Sequence, residues 1–177
     1  FAAGEGTADA PYEVTSAAEL EKIGYGFDKA FRLASDIVLD NNWTPAGTEA
    51  QPFTGSLDGN GRKITLALDR PAEDYVALFA RVGAGAEVTN LTLDGSVTGR
   101  NYVSALAAES EASLSADVSA VTVRGENFVA ASVASGAGRD ARVIEFGTVP
   151  AAVNITMGSD SAIESLGLVT KGATVTF

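Results

Sequence analysis

Cysteine and histidine are both absent from this 177-residue chain. Without them there is no disulfide framework, no thiolate nucleophile and no Cys/His zinc site. A Ser-His-Asp triad is excluded as well. Cations are scarce: 12 Lys and Arg stand against 23 Asp and Glu, a formal charge of −11. Nucleic acid is held by neutralising its phosphates with cations, so the charge argues against it as a partner. Adsorption to an anionic membrane surface is disfavoured on the same ground. No apolar run approaches the ~20 residues of a spanning helix, so membrane insertion by a helix is not expected. The acidic surface reads as a solvating shell, with Ca²⁺ binding by some carboxylates as the sharper alternative.

What is present is small. Ala, Val, Gly, Thr and Ser dominate, and aromatic residues make up only 7%. Such residues suit closely stacked strands and tight corners. Their order is repetitive. Val97-Thr98-Gly99-Arg100-Asn101-Tyr102-Val103 and Val123-Arg124-Gly125-Glu126-Asn127-Phe128-Val129 share the pattern V-x-G-x-N-aromatic-V and start 26 residues apart. Tyr75-Val76 is a weaker copy one period earlier. A repeat of this length marks stacked units rather than one irregular globule.

Taken in order, residues 1–11 have no apolar period and read as a flexible tail. Tyr12-Glu13-Val14 is a strand candidate. Ser16 and Glu19 form a capping box for a short helix over Ala17–Ile23, ended by Gly24 and Gly26. That helix is placed to cover the open end of a strand stack. Strands are predicted at 31–34, 37–39, 62–68, 75–82, 88–93, 96–98, 102–106, 118–123, 128–133 and 142–146, and beyond residue 147 at 152–156, 163–169 and 173–177. In 62–68 the alternation puts Ile64, Leu66 and Leu68 on one face. Asp94-Gly95 reads as a turn, and Gly95, Gly99 and Gly125 as corner glycines.

Short strands recurring in one direction every 20–30 residues predict an all-β parallel β-helix, one repeat per coil. Residues 12–177 then form one domain, with roughly five or six coils from residue 30 on, spaced by ~4.8 Å. Tyr75, Tyr102 and Phe128 are expected to form one inward-facing ladder. The Phe1 start and the uncapped ending at Phe177 suggest a processed product or a piece of a longer chain.

The spacing Tyr12-Glu13-Val14-x-Ser16-x-x-Glu19-Leu20, Phe31-x-Leu33-x-x-Asp36-Ile37-x-Leu39, Trp43-x-Pro45-x-Gly47, Pro52-Phe53-x-Gly55-x-Leu57-Asp58-Gly59-Asn60-Gly61-x-x-Ile64, Leu78-Phe79 and Asn90-Leu91 resembles the opening of GLUG-repeat β-helix proteins. These are bacterial surface proteins, adhesin-like or akin to the N-terminal regions of IgA-protease-like polypeptides. The resemblance runs over about residues 12–135. It implies a right-handed parallel β-helix, secretion and attachment at the cell surface. The sequence departs from the family where V-G-G-L-x-G is replaced by Val103-Ser104-Ala105-Leu106-Ala107-Ala108 and Val129-Ala130-Ala131-Ser132-Val133-Ala134. Either those positions need only small residues, or Ala would cost about 1 kcal/mol wherever φ is positive.

No catalytic, cofactor-binding or metal-ligating residue is assigned. Asp58-Gly59-Asn60-Gly61 looks like part of a Ca²⁺ loop but lacks the remaining ligands, and a plain turn is the simpler reading. Asp36, Asp40, Asn41 and Asn42 form a similar acidic corner. Glu73-Asp74 is an adjacent acidic pair in a Pro-containing loop and reads as solvated. Trp43 and Tyr25 are aromatics that could stack on sugars, with packing under the 43–47 loop preferred for Trp43. Asn90 reads as a structural corner amide. The expected function is therefore a non-catalytic stalk, adhesin-like module or display scaffold, extracellular or at the cell surface and monomeric. Its partner would be a glycan or protein bound by loops such as Asp40–Gln51 or Asp69–Asp74. The alternative is a carbohydrate-active β-helix enzyme, a polysaccharide lyase or hydrolase, which needs carboxylates converging on one cleft.

Overall fold

The computed structural model describes residues 1–136 and, beyond them, the strands Val143–Phe146 and Ser165–Leu168. In chain order the elements are β1 (Tyr12–Val14), α1 (Ala17–Leu20) running into a 3-10 turn (Glu21–Tyr25), β2 (Ala30–Leu33), β3 (Ile37–Leu39), β4 (Ser56–Asp58), β5 (Lys63–Asp69), β6 (Phe79–Val82) and β7 (Glu87–Thr89). There follow β8 (Thr92–Thr98), β9 (Asn101–Val103), β10 (Ala107–Ser110), β11 (Asp117–Arg124), β12 (Asn127–Val129), β13 (Val133–Ser135), β14 (Val143–Phe146) and β15 (Ser165–Leu168). The predicted strands at 152–156 and 173–177 lie outside the described residues.

Every strand pair in the described structure is parallel. One face is built in the order β1-β2-β4-β7, a second as β11-β8-β5-β3 and a third as β13-β10-β6, with the short pair β12-β9 at a corner. The chain visits first face, second face, corner and third face, then begins again. The result is a β-solenoid of about four turns over the described residues. Strands β14 and β15 pair in parallel in the same manner.

Side chains explain the register. Ile37 and Leu39 lie over Ile64 and Leu66, and Ile64 and Leu68 lie over Leu93 and Val97. All of these are buried. A shift by one residue would turn this whole column to water, at about 1.5–3 kcal/mol per large side chain. Inside the first turns, Phe31, Phe53 and Phe79 form an aromatic file with centroids 6.4 and 4.8 Å apart. The interior then narrows. Ala107 sits opposite Phe79, and Ala105, Leu106, Ala107 and Ala108 are all fully buried. None of the Ala and Ser residues that replace glycine in 103–108 and 129–134 has a positive φ. Small size is what those positions require.

At the N-terminal end, Leu20 and Ile23 are buried beneath the helical cap. The Ser16 hydroxyl accepts from Glu19 N at 3.3 Å, as a capping box demands. The return bond falls one residue early: Glu19 Oε2 accepts from Thr15 N at 2.8 Å and from Thr15 Oγ1 at 2.7 Å. Gly24 lies within the 3-10 turn and Gly26 caps it. Residues 1–11 contain no strand. They contact the first turns through Glu13 N to Ala3 O (2.9 Å), Ala30 N to Gly6 O (3.0 Å) and a Phe1 ring stacked 4.4 Å from Tyr12. Among the described residues no helix is long and apolar enough to cross a membrane.

Gly95 is not in a turn or at a corner. It lies inside β8, between Leu66 of β5 and Val121 of β11, with φ of +95°. A Cβ there would run into the Leu66 carbonyl. Gly61 also has a positive φ, +67°, but faces open space. Gly95→Ala is therefore expected to destabilise by about 3 kcal/mol, from backbone strain and the clash together, and Gly61→Ala by about 1 kcal/mol. Thermal melts of the two variants check this; equal losses would show that the close approach at Gly95 is absent.

Candidate functional site

The chemistry-bearing residues gather at corners, and the corners share one backbone feature. Asn60, Tyr75, Asn90, Tyr102 and Phe128 all have positive φ, between 51° and 59°. For a residue with a side chain this costs about 1–2 kcal/mol, so each needs an offsetting contact. The aromatic three obtain it from one another. Tyr75 and Tyr102 stack at 4.6 Å with planes 5° apart, and Tyr102 and Phe128 at 4.5 Å and 2°.

The ladder forms as the 26-residue spacing predicts, but it faces outward rather than inward. Phe128 is 54% exposed, whereas the valines that follow, Val76, Val103 and Val129, are buried. Left-handed backbone at the aromatic reverses the direction of its side chain and sends the next one into the core. The motif glycines serve those valines. A Cβ on Gly99 would lie 2.8 Å from methyls of Val76 and Val103, and one on Gly125 would lie 2.8 Å from Val129.

Polar ladders flank the rings. Asn127 Nδ2 donates to Asn101 Oδ1 at 2.8 Å, and Asn101 Nδ2 donates to Asp74 Oδ1 at 2.9 Å. Arg100 closes on Asp74 with two bonds of 2.9 Å. Asp74 is thus a fixed first rung rather than a solvated loop residue; Glu73 beside it approaches Arg70 at 3.4 Å. At the other corner the Asp58 carboxylate accepts from Arg32 Nε (3.1 Å), Asn60 N (2.8 Å) and Asn90 Nδ2 (3.0 Å). Asn60 Nδ2 reaches back to Leu33 O at 3.1 Å. Lys63–Asp94 (2.8 Å) and Arg81–Glu109 (3.0 Å) also join adjacent coils.

The other sequence candidates are dispersed. Asp36 Oδ1 accepts from Lys63 N at 3.0 Å, Asp40 Oδ1 accepts from Asn42 N at 2.9 Å, and Asn41 Oδ1 accepts from Asp69 N at 2.7 Å. Trp43 is buried, its indole N–H shared between the carbonyls of Ala77 and Leu78 at 3.3 and 3.2 Å. Arg70 covers the same loop by donating to Asn41 O and Trp43 O. Tyr25 stands 91% exposed on the capping turn.

Among the described residues a cleft breaks the regular surface. In the fourth coil residues 111–116 form no strand, so β7 gains no partner there and the first face ends. Immediately after, β11 carries a register irregularity between Asp117 and Ala120, opposite β8. The corner opens into a cleft of about 530 Å³ that crosses three coils. Asn60 and Gly61 line it from the second coil, Asn90, Leu91 and Thr92 from the third, and Ser115, Ala116 and Asp117 from the fourth. Sequence reasoning passed over Ser115 and Asp117. Nothing in the local pattern marks the lost first-face strand, since Ala112, Leu114 and Ala116 alternate with Glu111, Ser113 and Ser115 as they would in a strand.

No family profile matches the chain. No solved structure matches it. Among curated proteins it is similar to one described as a Gly-rich membrane protein, from Evansella cellulosilytica, with 34% identity over 127 residues, 58% of this chain and 14% of that protein. It is also similar to Halomucin of Haloquadratum walsbyi, 33% identical over 142 residues, 71% of this chain and 2% of that protein. The chain therefore spans only a small part of the length of either relative.

The bracketing carboxylates fix a pH response. At Asp58, burial raises the pKa, but the Asn90 amide, the Asn60 N–H and Arg32 outweigh it and hold the group below its usual range. Arg100 does the same for Asp74, and Lys63 for Asp94. Each folded pKa lies below its unfolded value near ~3.9, so the stabilisation is complete above about pH 4 and is lost as pH falls through the depressed folded values. The melting temperature is expected to hold constant from pH 7 to about 5 and to drop below about 4. Asp74→Asn is expected to shallow that drop, and an unchanged acid limb in this variant would remove Asp74 from the account.

Proposed function

We propose that this chain is a non-catalytic structural module, an adhesin-like stalk or display scaffold, within a secreted or cell-surface bacterial protein. The observation that carries the reading is the use made of the charged corners. Asp58, Asp74, Asp94 and Glu109 each face a cation one coil away, Arg32, Arg100, Lys63 and Arg81 respectively. They tie coil to coil and do not converge on a reacting centre. Glycoside hydrolysis needs two carboxylates on one cleft, ~5–10 Å apart. The cleft at the broken corner has a single carboxylate, Asp117.

A parallel stack also suits the role mechanically. It fixes the distance between its ends, since each turn adds one strand spacing of ~4.8 Å. Exterior loops can carry different residues so long as the inward ladder and the corner contacts are kept. The relatives support a surface setting: one is described as a membrane protein, and in both the matching part is a small fraction of the whole. The spacing shared with GLUG-repeat surface proteins points the same way. A glycan or a protein is the partner this setting favours.

Antibodies raised against the purified chain test the location. Labelling of intact source cells, or recovery of the antigen from the medium, is expected. Labelling only after lysis contradicts the proposal. A screen against neutral and acidic polysaccharides is expected to release neither reducing ends nor unsaturated sugars, and release of either overturns the non-catalytic reading.

A further inference from the structure

The cleft at the broken corner differs in kind from the other corners. At the Asp74 corner polar side chains of neighbouring coils close on each other. Here the fourth coil lacks its first-face strand, and Asn90 of the third coil has no side chain of that coil closed on it. Asn60 and Asn90 commit their amide nitrogens to Leu33 O and Asp58 Oδ1. Their amide oxygens, and the hydroxyls of Thr92 and Ser115, make no hydrogen bond among the described residues. Asp117 holds its own turn by accepting from Ser119 N at 3.0 Å, which leaves lone pairs on its carboxylate for a second partner. Leu91 and Ala116 add a small apolar strip.

We propose that this cleft binds a neutral saccharide, a short stretch of a glycan chain. The argument is one of complementarity. The lining offers acceptors and two hydroxyls that both donate and accept, which matches a dense array of sugar hydroxyls. It holds no cation to receive a sulfate, phosphate or uronate, and the chain's charge of −11 repels anions. Its single carboxylate falls short of the several that a Ca²⁺ site of six to eight oxygens draws on. The cleft, about 530 Å³, is largely open to solvent, the form of a groove that a chain crosses rather than of a closed pocket. The scaffold is rigid on two sides: Gly61 N donates to Asn90 O at 3.1 Å, and Asp117 N to Leu91 O at 2.8 Å. These bonds fix the cleft walls before any ligand arrives. The site does not depend on the surface-scaffold reading, since a secreted enzyme could carry the same cleft as a non-catalytic subsite.

The test uses the chain on an array of neutral and anionic oligosaccharides, followed by a ¹⁵N NMR titration with the strongest neutral binder. Binding of neutral glycans is expected, with shifts concentrated on the backbone amides of Gly61, Leu91, Thr92, Ser115 and Asp117. Asp117→Asn keeps an oxygen for the Ser119 turn but removes the charge, and is expected to weaken binding about tenfold. Thr92→Val is a second variant, outside that turn. A melt of each variant matching the parent shows that the fold is intact. No glycan binding, a preference for anionic glycans, or binding that leaves these amides and both variants unaffected would each overturn the proposal.

Discussion

Everything in this molecule follows from parallel pairing between successive turns of one chain. A parallel ladder sets each residue directly over its counterpart a turn earlier, ~4.8 Å away. Like therefore falls on like, in every column, inside and out. For apolar columns this is favourable without further design: Ile64 over Ile37 and Val103 over Val76 bury surface at each step. For charged columns the same rule would be destructive, because identical charges at that distance repel. The sequence avoids it by changing one residue per turn. Arg32 is followed by Asp58, Arg81 by Glu109, and Asp74 by Asn101 and then Asn127. Acidic as the chain is, its described corner columns mix carboxylates with cations or amides.

The corners carry the second burden. A coil must turn sharply several times in about thirty residues or fewer, and left-handed backbone makes the sharpest turn. Glycine would serve, but it would leave nothing to stack. This chain places asparagine or an aromatic there instead, and lets the amide bonds and ring contacts between coils offset the strain. The stack and the strain are mutually dependent, because a ring without a neighbour above or below would have no reason to hold φ near +55°. The cleft shows the converse. Where the fourth coil omits its first-face strand, Asn90 keeps its backbone form but its outer oxygen finds no counterpart.

How much was legible in the sequence follows from this. The winding, the period and the buried face of β5 were readable, because a repeated spacing and strict alternation report directly on stacking. The corners were not. The predicted strand 75–82 contains the Tyr75 corner, 88–93 is cut at Asn90 and 102–106 starts on the Tyr102 corner; the strand β4 was missed just ahead of Asn60. In each case a single left-handed residue ends or splits an apolar run, and neither composition nor alternation marks an aromatic residue as left-handed. The same blindness turned the ring ladder inward on paper. Gly95 erred in the opposite direction, a glycine that looked like a turn but gives room for a neighbouring backbone within a strand. The sequence candidates for metal or sugar contact fared similarly: Asp58 and Asp74 were visible as acidic corners, while their roles as clasps depend on Arg32 and Arg100, each 26 residues away.

The central claim is that residues one turn apart lie in contact, ring on ring, along the outside of the stack. Nuclear Overhauser spectroscopy on a chain with labelled aromatic rings measures it directly. Strong ring-to-ring contacts are predicted for Tyr75 with Tyr102 and for Tyr102 with Phe128, and none for Tyr75 with Phe128, two turns apart. Absence of the two neighbouring contacts, or a direct contact between the outer pair, would contradict the coiled arrangement itself.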